Sequence, residues 1–156
     1  MANRIPNKIR KLEFIRDNLQ SEATKILQKH EKDIINLNAM QMEEGIGSDG
    51  SGLVNENPIF TGKYKLLTQL LSADAILPKT VGKRYNFVWH GDFFSGMYVD
   101  FKQNGKYEIF SNGMGTGGKL DFFNGYKNLF GLNDHSMKLI RDKIMPELRA
   151  YLKSKL

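Results

Sequence analysis

Apolar residues recur at Ile9, Leu12, Ile15, Leu19, Ala23, Ile26, Ile34 and Leu37, three or four residues apart or at multiples of those steps. That is the period of one face of an α-helix. The pattern predicts one long N-terminal helix over residues 6–44, with room for a single break. Pro6 falls where a first turn tolerates a residue without an N–H, and Gly45 and Gly47 supply the stop. Glu13 with Arg16 and Glu22 with Lys25 add weak pair support on the polar face. Nearly forty helical residues would extend about 55 Å at 1.5 Å per residue, more than a compact chain of this size is wide. Part of the helix should therefore project or pack on another subunit. The stripe of Ile9, Leu12, Ile15, Leu19, Ala23 and Ile26 is the candidate packing surface.

The texture then changes twice. Residues 45–62 are rich in Gly, Ser, Asn and Pro without periodicity and read as an exposed loop. Residues 64–77 suit a short helix that ends before Pro78. Nine of the ten Phe, five of the six Tyr and the single Trp fall between positions 60 and 130, a composition that favours a sheet. Within it Tyr85, Phe87 and Trp89 alternate, as do Met97, Val99 and Phe101, and Asn104-Gly105 is a hairpin signal before residues 106–111. Between the first two runs, Gly91-Asp92-Phe93-Phe94 reads as a tight structural turn. Residues 119–132, with Phe122, Phe123, Tyr126 and Phe130, fit either a final strand or an aromatic loop over the sheet. A last helical stripe, Met137, Ile140, Ile144, Leu148 and Leu152, follows an N-cap at Asn133 or Asp134, and Pro146 should kink or restart it.

The expected fold is α+β in a single domain: a long N-terminal helix (1–44), a loop (45–62), a central antiparallel aromatic-rich sheet (63–132) and a C-terminal helix (133–156). At 156 residues, 40% hydrophobic and 26% charged, the chain can bury a core. It has no cysteine, which excludes disulfides, thiolate metal sites and cysteine nucleophiles. No run is long enough to cross a bilayer and no signal core opens the chain, so a cytoplasmic site of synthesis is expected. The net charge of +6 is thinly spread and densest in the C-terminal helix, at Lys138, Arg141, Lys143, Arg149, Lys153 and Lys155. A solvated helix face is favoured there over a phosphate-binding stripe.

Each chemical motif weakens when its context is read. Gly113 to Lys119 matches the spacing of a phosphate-cradling loop, but Leu120 stands where a magnesium-binding hydroxyl belongs. Gly113, Gly115, Gly117 and Gly118 read instead as a glycine loop that orders on contact. Gly45 to Gly50 spaces its glycines like a dinucleotide fingerprint but follows a helix rather than a strand. His30, His90 and His135 lack metal-pair spacing. His90 and Asp92 could form an acid–base pair, although Asp92 is expected to bond the N–H groups of its own turn. Ser95 has neither an elbow motif nor an evident base. Basic and aromatic residues interleave at 63–65, 83–85 and 102–107, as a single-strand-binding sheet requires and as many ordinary sheets also show.

Three stretches carry a resemblance. They are Asn36-Leu37-Asn38-Ala39-Met40-Gln41-Met42-Glu43-Glu44-Gly45, Gly91-Asp92-Phe93-Phe94-Ser95-Gly96-Met97 and Phe130-Gly131-Leu132-Asn133-Asp134-His135-Ser136. In order and spacing the chain resembles small structural proteins of tailed bacteriophages and prophages of gut Bacteroidetes, including crass-like phages. More distantly it is similar to neck and tail-completion proteins that form rings between portal and tail. Trp89-His90 stands where that family has Asp-Thr, and the glycines at 113–118 are a local addition. The resemblance implies a virion component rather than an enzyme, without a cofactor, forming a homo-oligomeric ring against the portal and adjacent neck or tail proteins. The rival expectation is a nucleic-acid-binding protein using the basic C-terminal helix and the lysine-rich sheet. A phosphate-handling enzyme built on residues 113–119 is the third.

Overall fold

The computed structural model describes residues 4–85, 87–88, 90–102, 105–115 and 118–156, with the side chains of 4–6 and 118 left aside. Its architecture is α+β: a long N-terminal helix, a two-stranded antiparallel sheet and a C-terminal helix, with short helices between them. Helix α1 spans Arg4–Lys29 and α2 spans Glu31–Glu43. The single break lies at His30, whose backbone leaves helical geometry (φ −100°, ψ 17°) and whose N–H turns to the carbonyl of Leu27 at 2.9 Å. Helix α2 ends at Gly45, which adopts φ 72°. That left-handed conformation is inexpensive only for a residue without Cβ.

Helix α6, Asp134–Lys155, starts with the Asn133 side chain accepting the N–H of Ser136 at 2.9 Å, which assigns the cap to Asn133. It runs through Pro146 without stopping. It lies antiparallel to α1 and α2, since Lys143 reaches Asp33 (2.7 Å), Glu147 reaches Lys29 (3.3 Å) and His30 (2.7 Å), and Leu156 reaches Lys11 (3.1 Å).

The sheet is smaller than the aromatic pattern suggests. Strands β1 (Met97–Phe101) and β2 (Tyr107–Ser111) pair with Val99 opposite Ile109. Met97, Val99 and Ile109 face the core, while Tyr98 and Phe110 stack on the outer face at 5.7 Å. The turn joining them includes Gln103 and Asn104, which lie outside the described residues, as does Trp89. The remaining strand expectations are corrected. Residues 92–95 form a one-turn helix, α4 (Asp92–Ser95), and Gly118–Asn124 forms helix α5 in place of a strand or loop. Arg84 makes an isolated bridge with Lys63. The physical reason is that the aromatic rings pack on each other from α4, α5 and the intervening backbone. The stacked pair Phe93–Phe123 (4.2 Å) and the edge-on pair Phe87–Tyr126 (5.2 Å) need no strand alternation to meet.

The core is built from Ile34 and Met42 of α2, Phe93, the inward residues of the sheet, Phe123, Tyr126, Leu129 and Ile140 of α6. Burying side chains of this kind contributes roughly 1.5–3 kcal/mol each. Helix α3, Leu66–Leu71, stands apart from it, with no buried residue.

Candidate functional site

The stripe on α1 divides in two. Ile15 and Ile26 are buried and Leu19 and Ala23 half-buried, whereas Ile9 is 51% and Leu12 56% exposed. Leu156, at the end of α6, accepts a hydrogen bond from Lys11 Nζ, so α6 reaches this turn of α1 but does not cover it. Phe14, on another face of α1, is 53% exposed. A second apolar surface lies on α3, where Leu66, Leu67, Leu70 and Leu71 are all exposed. The short helix expected over residues 64–77 is confined to Leu66–Leu71, and six residues give too short a pattern to show that its leucines stay exposed.

Gly91 opens α4 with φ 87°, and Phe93 is buried against Phe123 while Phe94 stays half-buried. The Asp92 side chain does not cap its own turn. Its Oδ2 pairs with Lys119 Nζ at 3.3 Å. Ser95 Oγ donates to the backbone carbonyl of Asp92 at 3.1 Å rather than to a side-chain base. Of the four glycines expected to form a contact loop, Gly113 is packed inward. A Cβ there would start 2.0 Å from the Asp92 carbonyl oxygen. Gly115 is exposed with φ 73°, Gly117 lies outside the described residues, and Gly118 begins α5. Lys119, the residue a phosphate loop would need, folds back over Gly115 towards Asp92.

The three stretches that carry the resemblance converge in space. Asn38 and Gln41, buried on α2, reach the segment before α6. Asn38 Nδ2 donates to the carbonyls of Leu129 (3.1 Å) and Gly131 (2.9 Å), and Gln41 Nε2 donates to Gly131 (3.0 Å). In return the Asn133 N–H donates to Gln41 Oε1 at 3.0 Å. Phe93, from the middle stretch, lies 5.9 Å from Phe130. Buried amides that satisfy loop backbone in this way hold one segment against another. The two amides stand on the same helix face as Ile34 and Leu37. That placement of polar residues within an apolar stripe is the sequence signal that could have identified them.

The aromatic rings also line a cavity of about 470 Å³ that is partly open to solvent. Backbone pairing between 62–64 and 82–85 (Tyr64 N–H to Lys83 carbonyl, 2.9 Å; Tyr85 N–H to Gly62 carbonyl, 3.1 Å) closes a flap that carries α3 and Lys79. Asp74 on that flap meets His90 Nε2 at 3.0 Å. Tyr64, Tyr85, Phe87 and Phe122 form the walls. Lys79 is only 3% exposed. Its ammonium donates to the carbonyl of Val88 and sits 5.4 Å from the centre of the Tyr64 ring. Burial pushes the Lys79 amine down to about 8, because the charged form is poorly solvated there. At the centre, Phe87 holds φ 56°, a left-handed conformation costly for an aromatic residue. Nothing in the sequence pattern marked Lys79, since a lone lysine after Pro78 reads as surface.

Some of the basic residues are engaged by acidic neighbours. Lys143 meets Asp33, Lys29 meets Glu147, and Lys102 meets Asp100 and Glu108. His30 bridges Asp33 Oδ2 (3.0 Å) and Glu147 Oε1 (2.7 Å), so both ring nitrogens face acceptors and its pKa is raised. Among the described residues no group of three His, Cys, Asp or Glu is placed to hold a metal ion, and no helix is long and apolar enough to cross a membrane. Comparisons with protein-family models, with curated proteins and with solved structures return no match.

Proposed function

We propose that this chain is a structural subunit of a larger protein assembly: a ring-forming neck, connector or tail-completion subunit between portal and tail of a tailed-phage virion. The observation that carries it is the uncovered start of the α1 stripe, where Ile9 and Leu12 continue a buried row into solvent. Apolar residues that keep helical register past their covering helix match a partner surface. A head-to-tail ring also needs two different faces on each subunit. The exposed leucines of α3 offer a second apolar surface on a different element. The virion setting rests on the resemblance alone. Support of a different kind comes from the convergence of the three resembling stretches on the core, since residues shared for folding suit a structural role better than a catalytic one.

Mass spectrometry of purified virions tests the proposal by measuring this chain against the portal protein. A fixed ratio of small integers is expected of a ring component, and absence of the chain removes the reading. On the basic face of α6 that the nucleic-acid alternative would use, Lys143 is held by Asp33, and steep salt-dependent binding to DNA would favour that alternative.

A further inference from the structure

The aromatic cavity goes beyond the structural role proposed above and combines features of a ligand site. Its volume, about 470 Å³, lies within the range of about 300–1,000 Å³ common for small-molecule pockets. Its walls are flat rings, with Tyr64 edge-on to Tyr85 (4.9 Å) and Tyr85 edge-on to Phe122 (5.7 Å). Such surfaces accept another ring by stacking or edge contact. Phe87 holds its left-handed backbone at the same place, and strain of that kind concentrates where a site is shaped.

The polar groups define the ligand's charge. Lys79 lines the cavity with its charged end held among rings. Among the described residues the one acidic side chain lining the cavity is Asp92, and its carboxylate is engaged by Lys119. An anion entering the cavity therefore meets a cation in a poorly solvated wall, where a charge-assisted hydrogen bond is stronger than in water. We propose that the cavity binds a small planar aromatic anion, its ring against the wall formed by Tyr64, Tyr85 and Phe122 and its carboxylate on Lys79 Nζ.

The test compares 2-naphthoate with its neutral amide, 2-naphthamide, by titration calorimetry on the full chain. The wild type is expected to bind the carboxylate at least about tenfold more tightly, the size of one charge-assisted hydrogen bond. Because burial pushes the Lys79 amine down to about 8, that preference should weaken as pH rises above 8, where binding must take up a proton. Lys79→Met keeps the length of the stem and removes the charge. It should abolish the preference while leaving amide binding within about twofold. Equal binding of both compounds by the wild type, a preference that survives Lys79→Met, or no binding of either at millimolar concentration would each overturn the proposal. Should Lys79→Met fail to fold, Lys79→Gln is tested in the same way, and a preference that survives it overturns the proposal.

Discussion

The two ends of the helical stripe that runs through α1 and α2 follow the same rule in sequence and meet different fates. In α2, Ile34 and Met42 are fully buried against the sheet and α6, and the polar residues among them, Asn38 and Gln41, are buried with hydrogen-bond partners. In the first turns of α1, Ile9 and Leu12 keep the register and remain in solvent. Periodicity thus reports which face can be covered. What covers it depends on where α6 and the sheet happen to reach. The buried half holds the fold, and the open half is free to serve a partner.

Substitutions at the two ends should differ accordingly. The largest effect is expected in the buried aromatic layer, where Phe93 stacks on Phe123 at 4.2 Å and is 2% exposed. Phe93→Ala should cost about 3–5 kcal/mol, the range for large-to-small changes in a core. Urea unfolding followed by circular dichroism measures it, and a loss below about 1 kcal/mol would show that the layer is not central. Next comes the amide latch. Asn38→Ala leaves the Leu129 carbonyl without its buried donor and the Gly131 carbonyl with Gln41 alone, which should cost about 2–3 kcal/mol. Hydrogen exchange should show faster opening at Gly131 and Asn133 in this variant than at the sheet.

Helices were legible in the sequence where a periodic stripe was long, as at Ile9 to Leu37 and Met137 to Leu152, and so was the pairing of β1 with β2 around a glycine turn. The wider sheet was not, because Phe87, Phe93, Phe122 and Phe123 are close in composition to a strand set while their rings meet through short helices and a left-handed residue. Gly91 was identifiable as a turn, yet its role in starting a helix depends on φ 87° and on the Phe93–Phe123 stack, which lie beyond local pattern. The cavity was invisible for a similar reason. Its parts come from Phe60 to Thr68, from Lys79 and the residues around Phe87 and Phe93, and from Lys119 to Phe123, and the backbone pairing of 62–64 with 82–85 brings the first two together.

A smaller, pH-dependent effect is expected at the joint between the two halves. His30 has its pKa raised above the ordinary 6.5 by hydrogen bonds to Asp33 and then Glu147. Its contribution is therefore complete below pH 6.5 and lost as pH rises through the raised value. Asp33 is lowered below 3.8 by Lys143 and then His30, and Glu147 below 4.5 mainly by His30. Their contributions are complete above those ordinary values and lost as pH falls through the depressed ones. The cluster should stabilise most between pH 4.5 and 6.5. His30→Asn should lower the melting temperature by about 2 °C in that window, with the difference vanishing at pH 9. An equal difference at both pH values would assign His30 a packing role only.

The smallest effect on the isolated chain is expected at the open end. Ile9→Ser combined with Leu12→Ser changes residues that are 51% and 56% exposed, so the folding stability should move by no more than about 0.5 kcal/mol. Association should respond in the opposite sense, because a partner surface loses both of its apolar anchors there. Assembly into virions, followed by the ratio of this chain to the portal protein, should drop at least about tenfold in the double variant. A variant that folds normally and still assembles at the wild-type ratio would place the interface elsewhere, with the leucines of α3 as the next surface to test. A variant that loses several kcal/mol of stability would show instead that the start of α1 is sheltered in the free molecule, and the contrast between the two ends of the stripe would disappear.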